Sequence, residues 1–156
     1  MLVTLAAGVA ALLVSGVFLG FSDFILRGLA QAPGDAGAAA MRGLNRTVYR
    51  SLFMVLLIGL GPVAVALALA GLAGLLPGAP LLVAAALVYL GGVMVVTGRG
   101  NVPMNQRLAL LDAESPGARA FWRHYLGAWA RLNHIRTAAS FLTGVLWIAA
   151  ALNMAP

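Results

Sequence analysis

The chain has 156 residues, 62% of them hydrophobic and only 9% charged, with a mean hydropathy of +0.98. Soluble domains carry about 25% charged and roughly 45–50% apolar residues, so a soluble domain and a disordered segment are both excluded. There is no cysteine, which removes disulfides, thiolate nucleophiles, iron–sulfur clusters and zinc-thiolate sites. What remains is a single integral membrane domain.

Four stretches have the roughly 20 apolar residues that a spanning helix needs. The first covers residues 2–21 and runs on to 26. It lacks a preceding basic segment and a small-residue cleavage site before a polar region, so it reads as a retained span and not as a secretory signal. The second covers 52–76 and is interrupted only by Gly59, Gly61 and Pro62, which spanning helices tolerate where neighbours satisfy the freed backbone groups. Pro77-Gly78-Ala79-Pro80 then reads as a tight turn. The third span covers 81–97 and the fourth 137–154. The fold class expected is all-α, a four-transmembrane-helix bundle.

All ten basic residues are arginines. Four fall in the 27–50 connection and six in the 98–136 connection; the amino terminus, the 77–80 turn and the carboxyl tail have none. By the positive-inside rule, both connections face the cytoplasm of the cell (inner) membrane, with both termini outside. Membrane-flanking arginines account for the net charge of +6, so nucleic acid is not expected as a partner and membrane lipid is.

The 98–136 connection is patterned. Gly98-Arg99-Gly100 reads as loop. Ser115-Pro116 reads as a helix start, with Ser as N-cap and Pro at the first position. From there a helix runs through Arg136, either lying on the membrane surface or passing directly into span four. At 100° per residue, Ala118, Phe121, Trp122, Tyr125, Trp129 and Leu132 share one face, and Arg119, Arg123, His124 and Arg131 the other.

Four constellations could carry chemistry. Asn101-Val-Pro-Met-Asn105 with Arg107 reads as a polar turn after span three, its amides either bracing the turn or donating to a ligand carbonyl. Trp122, Tyr125, Trp129, Asn133 and Arg136 form one helical stripe. Arg136 is the anomaly, a cation on the aromatic side, able to stack on Trp129, to bind an anionic oxygen or to reach headgroup phosphate. His134 is either a general base or a passive interfacial residue. His124 lies about 80° and 15 Å from it on a helix, so the two cannot share a metal. The only carboxylates are Asp23, Asp35, Asp112 and Glu114, which excludes a di-iron carboxylate site. Asp23, at the end of span one, either orients a histidine or neutralises Arg27, Arg46 or Arg136. Nearby, Gly16 and Gly20 offer a small-residue surface for close helix contact. There is no phosphate loop and no serine elbow.

Asn101-Val-Pro-Met-Asn105, followed by Trp122-x-x-Tyr125-x-x-x-Trp129-x-x-x-Asn133-His134-Ile135-Arg136-Thr137, resembles the anthrone-oxygenase-like family of small four-span membrane proteins. Phe21-Ser22 and Met41…Asn45 also look like that family's pattern. The resemblance implies a four-helix membrane bundle. The family's named fungal members oxidise anthrones to anthraquinones with molecular oxygen, without metal or flavin, while many bacterial members have no assigned activity. The Asn-His-Ile-Arg-Thr version looks more like the bacterial ones. It implies no cofactor, and a small lipophilic aromatic or quinone-type ligand. On this reading His134 is the base, Arg136, Asn105 and Asn133 stabilise an oxyanion, and Trp122, Tyr125 and Trp129 stack on a flat ring, with Asn101, Asp23 and Asn45 also at the site. On a regular helix His134 points about 160° from Arg136, so their convergence requires a helix break near 134 or a site that wraps around the helix. The alternatives are a non-enzymatic scaffold or binder of lipid or small hydrophobic molecules and, less favoured, an oligomeric transporter. A homo-oligomer is compatible with the abundant Gly and Ala.

Overall fold

The computed structural model describes residues 1–112 and 115–154; Glu114 lies outside the described residues. Four helices are long and apolar enough to cross a membrane: α1 (Leu2–Gln31), α3 (Leu52–Leu72), α4 (Ala79–Leu110) and α5 (Pro116–Leu152). A short amphipathic helix, α2 (Ala36–Thr47), joins the first two.

Each boundary has a local cause. α1 stops at Ala32, which is extended (ψ 138°) because Pro33 follows it and disfavours the helical region for its predecessor. Ser51 caps α3, its Oγ accepting from Met54 N–H at 3.2 Å. Gly74 and Gly78 turn the chain between α3 and α4 at φ +74° and +83°, a region that L side chains rarely adopt. Ser115 caps α5, its Oγ accepting from Ala118 N–H at 3.1 Å, with Pro116 at the first helical position.

The helices form a closed ring in which α1 contacts α5 and α3, and α4 contacts α3 and α5. One half of the core is mainly aliphatic, built on residues such as Val14, Leu57, Leu67 and Leu82, with Trp147 packed among them. The other half, beyond the connection-side ends of the spans, is aromatic, with Leu26, Met41, Leu108, Phe121, Tyr125 and Trp129. Many large apolar side chains on the outer surface, among them Leu13, Leu52, Leu69, Leu87 and Phe141, are exposed, as expected of helices solvated by lipid.

Some readings change and others are completed. Residues 98–100 are helical: α4 continues through two widened π-helical stretches (Leu90–Val95 and Thr97–Asn101) to Leu110. The second precedes Pro103, so the polar segment 101–105 is helix and not a turn. A widened turn is how a helix passes a residue that cannot donate its backbone proton. The 27–50 connection contains α2. Of the two courses open to the helix that starts at Ser115-Pro116, α5 takes the second, running unbroken through residue 134 into span four. Finally, the close α1–α5 contact lies at Gly8 and Gly144, where an added Cβ would meet the opposing backbone oxygen at 3.1 and 2.9 Å; Gly16 faces open space.

Candidate functional site

About 20 residues cross the hydrocarbon layer. Counted from the turn-side ends of α1, α3, α4 and α5, that length ends near Phe21, Phe53, Gly98 and Asn133. All four helices therefore reach the same level at the same place, and a cavity of ≈ 70 Å³ opens there. This is well above the roughly 10–15 Å³ that one water needs. Phe18, Phe21, Met41, Asn45, Phe53, Thr97, Trp129 and Arg136 are among the residues lining it.

Arg136 is the one charged side chain in that lining, and it is only 5% exposed. Its Nη2 donates to Asn133 Oδ1 at 2.6 Å and its Nη1 to Thr97 Oγ1 at 3.5 Å. The guanidinium carbon sits 4.2 Å from the Phe18 ring centroid and 5.0 Å from that of Trp129. Nε is buried without a partner. Among the described residues the sole ion pair is Arg27–Asp23, exposed on both sides, so no carboxylate there reaches Arg136. A buried cation normally requires pairing. Here two ring faces and two neutral oxygens stand in, and the Nε–H is enclosed by protein without a partner.

The arginine is fixed from behind. Asn133 is fully buried; its Nδ2 donates to the Phe18 carbonyl at 2.6 Å and to Ser22 Oγ at 2.5 Å, where α1 widens into a π-turn. Its Oδ1 is thereby turned toward Arg136. On α4, Asn105 Oδ1 accepts from Tyr125 O–H at 2.6 Å and from Trp129 Nε1–H at 2.9 Å. Asn101 Nδ2 donates to the Trp129 carbonyl at 3.3 Å. Asn105 thereby sets the tilt of the indole that forms one wall of the cleft, while Asn101 ties α4 to the α5 backbone.

The structure thus brings Asn133, Arg136, Trp129, Asn101, Asn105 and Asn45 to one region, with Asn45 on the cleft wall and its Nδ2 buried without a partner. Tyr125 and Trp122 are not among the residues lining this cleft. They stack in series behind Trp129, with centroids 5.5 and 5.9 Å apart, and Tyr125 is fully buried. Two residues fall elsewhere. His134 is exposed on the outer face of α5, because the helix has no break to rotate it inward. Asp23 points outward and pairs with Arg27 at 2.7 Å, one helical turn away. Sequence reasoning missed Phe18, Phe53 and Thr97, which come from three other helices. Arg136 as a lone cation on an aromatic stripe was the signal that a cleft must face it. Among the described residues no three His, Asp or Glu gather as metal ligands would.

Four membrane-length helices around an apolar, aromatic-walled cleft that holds one guanidinium define a small helical membrane protein. The chain matches the anthrone oxygenase family over residues 46–146 and belongs to that family. The matched segment carries α3, α4 and α5 as far as Leu146, hence Asn101, Asn105, Trp129, Asn133 and Arg136; it leaves out α1, which supplies Phe18 and Phe21. No curated protein and no solved structure matches the chain.

Proposed function

We propose that the chain is an oxygenase for a small, lipophilic, planar aromatic ligand that ionises to an enolate or phenolate, held at the cytoplasmic face of the cell membrane. One observation carries this reading: Arg136 is buried in an apolar cleft with no carboxylate among the described residues to neutralise it, so an anionic oxygen is the missing partner. Membership of the anthrone oxygenase family supports the reaction class.

The chemistry follows from the electrostatics. In a low-dielectric cleft, a fixed guanidinium stabilises the ligand's enolate far more than water would. The ligand itself becomes the acid, and its proton leaves to water at the open mouth. The carbanion then passes one electron to molecular oxygen; the resulting radical and superoxide combine into a peroxide at that carbon. The peroxide anion takes a proton back from water. The hydroperoxide then loses water, made of its distal hydroxyl and the carbon's remaining hydrogen, to leave a carbonyl, so a methylene becomes a ketone and one oxygen atom is retained. Phe18, Phe21 and Trp129 hold the ring and keep bulk water from the radical pair. No imidazole is required, and His134 takes no part.

The test is turnover of an anthrone under labelled oxygen by the protein in nanodiscs, with the anthraquinone analysed by mass spectrometry. Arg136→Gln is expected to slow turnover by about 10²–10³-fold, the usual effect of losing one oxyanion donor. His134→Ala should leave it unchanged. The rate should follow ionisation of the ligand and rise with pH, with a midpoint lower in the wild type than in Arg136→Gln. Full activity in Arg136→Gln, or collapse in His134→Ala, overturns the reading.

A further inference from the structure

A second cavity, ≈ 190 Å³, lies between α2 and the amino-terminal end of α5 and is lined by Gly34, Asp35, Ala38, Arg42, Ala118, Arg119, Trp122 and Arg123. It shares no lining residue with the Arg136 cleft. Three guanidiniums from two helices face it against one carboxylate, Asp35. None of the three is within ion-pair distance of a carboxylate among the described residues. Arg42 is anchored, its Nε donating to the Leu108 carbonyl at 3.0 Å, which holds its guanidinium at the cavity wall. The cavity also lies by the starts of α2 and α5, whose helix dipoles add positive potential.

We propose that this cavity is a binding site for a phosphate-type oxyanion. Arg42 is the preformed anchor, and Arg119 and Arg123 close on the ligand from the exposed side. Guanidinium forks match tetrahedral oxyanions in bidentate geometry, and the Trp122 indole supplies a flat wall. Arg119 and Arg123 lie 10–14 residues beyond Asn133 on one straight helix, about 15–20 Å from the hydrocarbon edge. The headgroup layer adds only about 5–7 Å on each side. That depth points to a soluble ligand, with a lipid headgroup as the competing source of the same chemistry. The site does not depend on the oxygenase reading.

The protein in neutral phosphatidylcholine nanodiscs is titrated with inorganic pyrophosphate by calorimetry at physiological ionic strength. One saturable site per chain is expected, with Kd raised at least about tenfold in the Arg119→Gln/Arg123→Gln double variant, which loses two charge-assisted donors. Both altered side chains are exposed, so the melting temperature should not move. Repeating the titration in phosphatidylglycerol discs separates the sources. Equal pyrophosphate affinity in both discs assigns a soluble anion. Weakened pyrophosphate binding, with a phospholipid retained by the wild type and lost by the double variant in native mass spectrometry, supports the site and assigns the oxyanion to a headgroup. Absence of saturable binding of either ligand, or equal affinity in wild type and double variant, overturns the proposal.

Discussion

The two halves of this bundle are held together by different means. In the membrane half, aliphatic and small residues dominate, and helices approach until backbone meets backbone at Gly8 and Gly144. In the connection-side half, side-chain amides do the tying: Asn105 accepts from the Tyr125 and Trp129 rings, and Asn133 donates to the Phe18 carbonyl and to Ser22 Oγ. Lipid tails are as apolar as leucine, so close packing is what drives association in the first half. In the second, directional hydrogen bonds aim particular atoms. A lone cation is tolerable only where such bonds and ring faces already surround it, and Arg136 sits at the seam.

That contrast can be broken in stages. The largest effect is expected at the seam: Arg136→Met should remove turnover while raising the melting temperature in detergent, because replacing a poorly compensated buried charge by an apolar side chain is often stabilising by about 1–4 kcal/mol. A lower melting temperature would mean that the guanidinium holds the bundle together. Gly144→Val comes next. Its Cβ would lie 2.8 Å from Leu12 Cγ and 2.9 Å from the Gly8 carbonyl oxygen, so forcing α1 and α5 apart should cost about 1–3 kcal/mol, read from unfolding in denaturing detergent mixtures. Asn105→Ala should cost a similar or smaller amount, about 1–3 kcal/mol, by leaving the Tyr125 hydroxyl and Trp129 indole N–H without an acceptor. It should also raise the ligand KM more than it lowers kcat, since Trp129 loses its tilt. The smallest effect belongs to Tyr89→Phe. Its hydroxyl donates to the Leu57 carbonyl at 2.8 Å in the aliphatic half, and such bonds in membranes average about 0.6 kcal/mol.

Much of this organisation is legible in the chain. Hydropathy alone locates the four spans, and the 3.6-residue period puts Trp122, Tyr125, Trp129, Asn133 and Arg136 on one stripe, which is the inward face of α5. The helix start at Ser115-Pro116 is also readable. What is not readable is settled by contacts distant in sequence. Gly98 and Gly100 suggest a loop, yet Gly100 is helical and lets Leu132 come so close that an added Cβ would lie 2.6 Å from its Cδ1. α2 escapes hydropathy because its buried face is narrow, with Gly37, Ala38 and Met41 the buried residues. His134 draws attention as the nearest titratable group in sequence, but a continuous helix carries it to the opposite side from Arg136.

The length of α5 has a last consequence. Because 37 residues form one uninterrupted helix, the aromatic stack, the cleft arginine and the spanning segment share a single angular phase. Inserting one residue between Trp129 and Asn133 would rotate one half against the other by about 100°, turning either the indole or the guanidinium out of the cleft. An insertion of four residues rotates them by only about 40° and moves them along the axis by about one turn. Function in this helix is therefore written in turns, and it tolerates whole turns better than single residues.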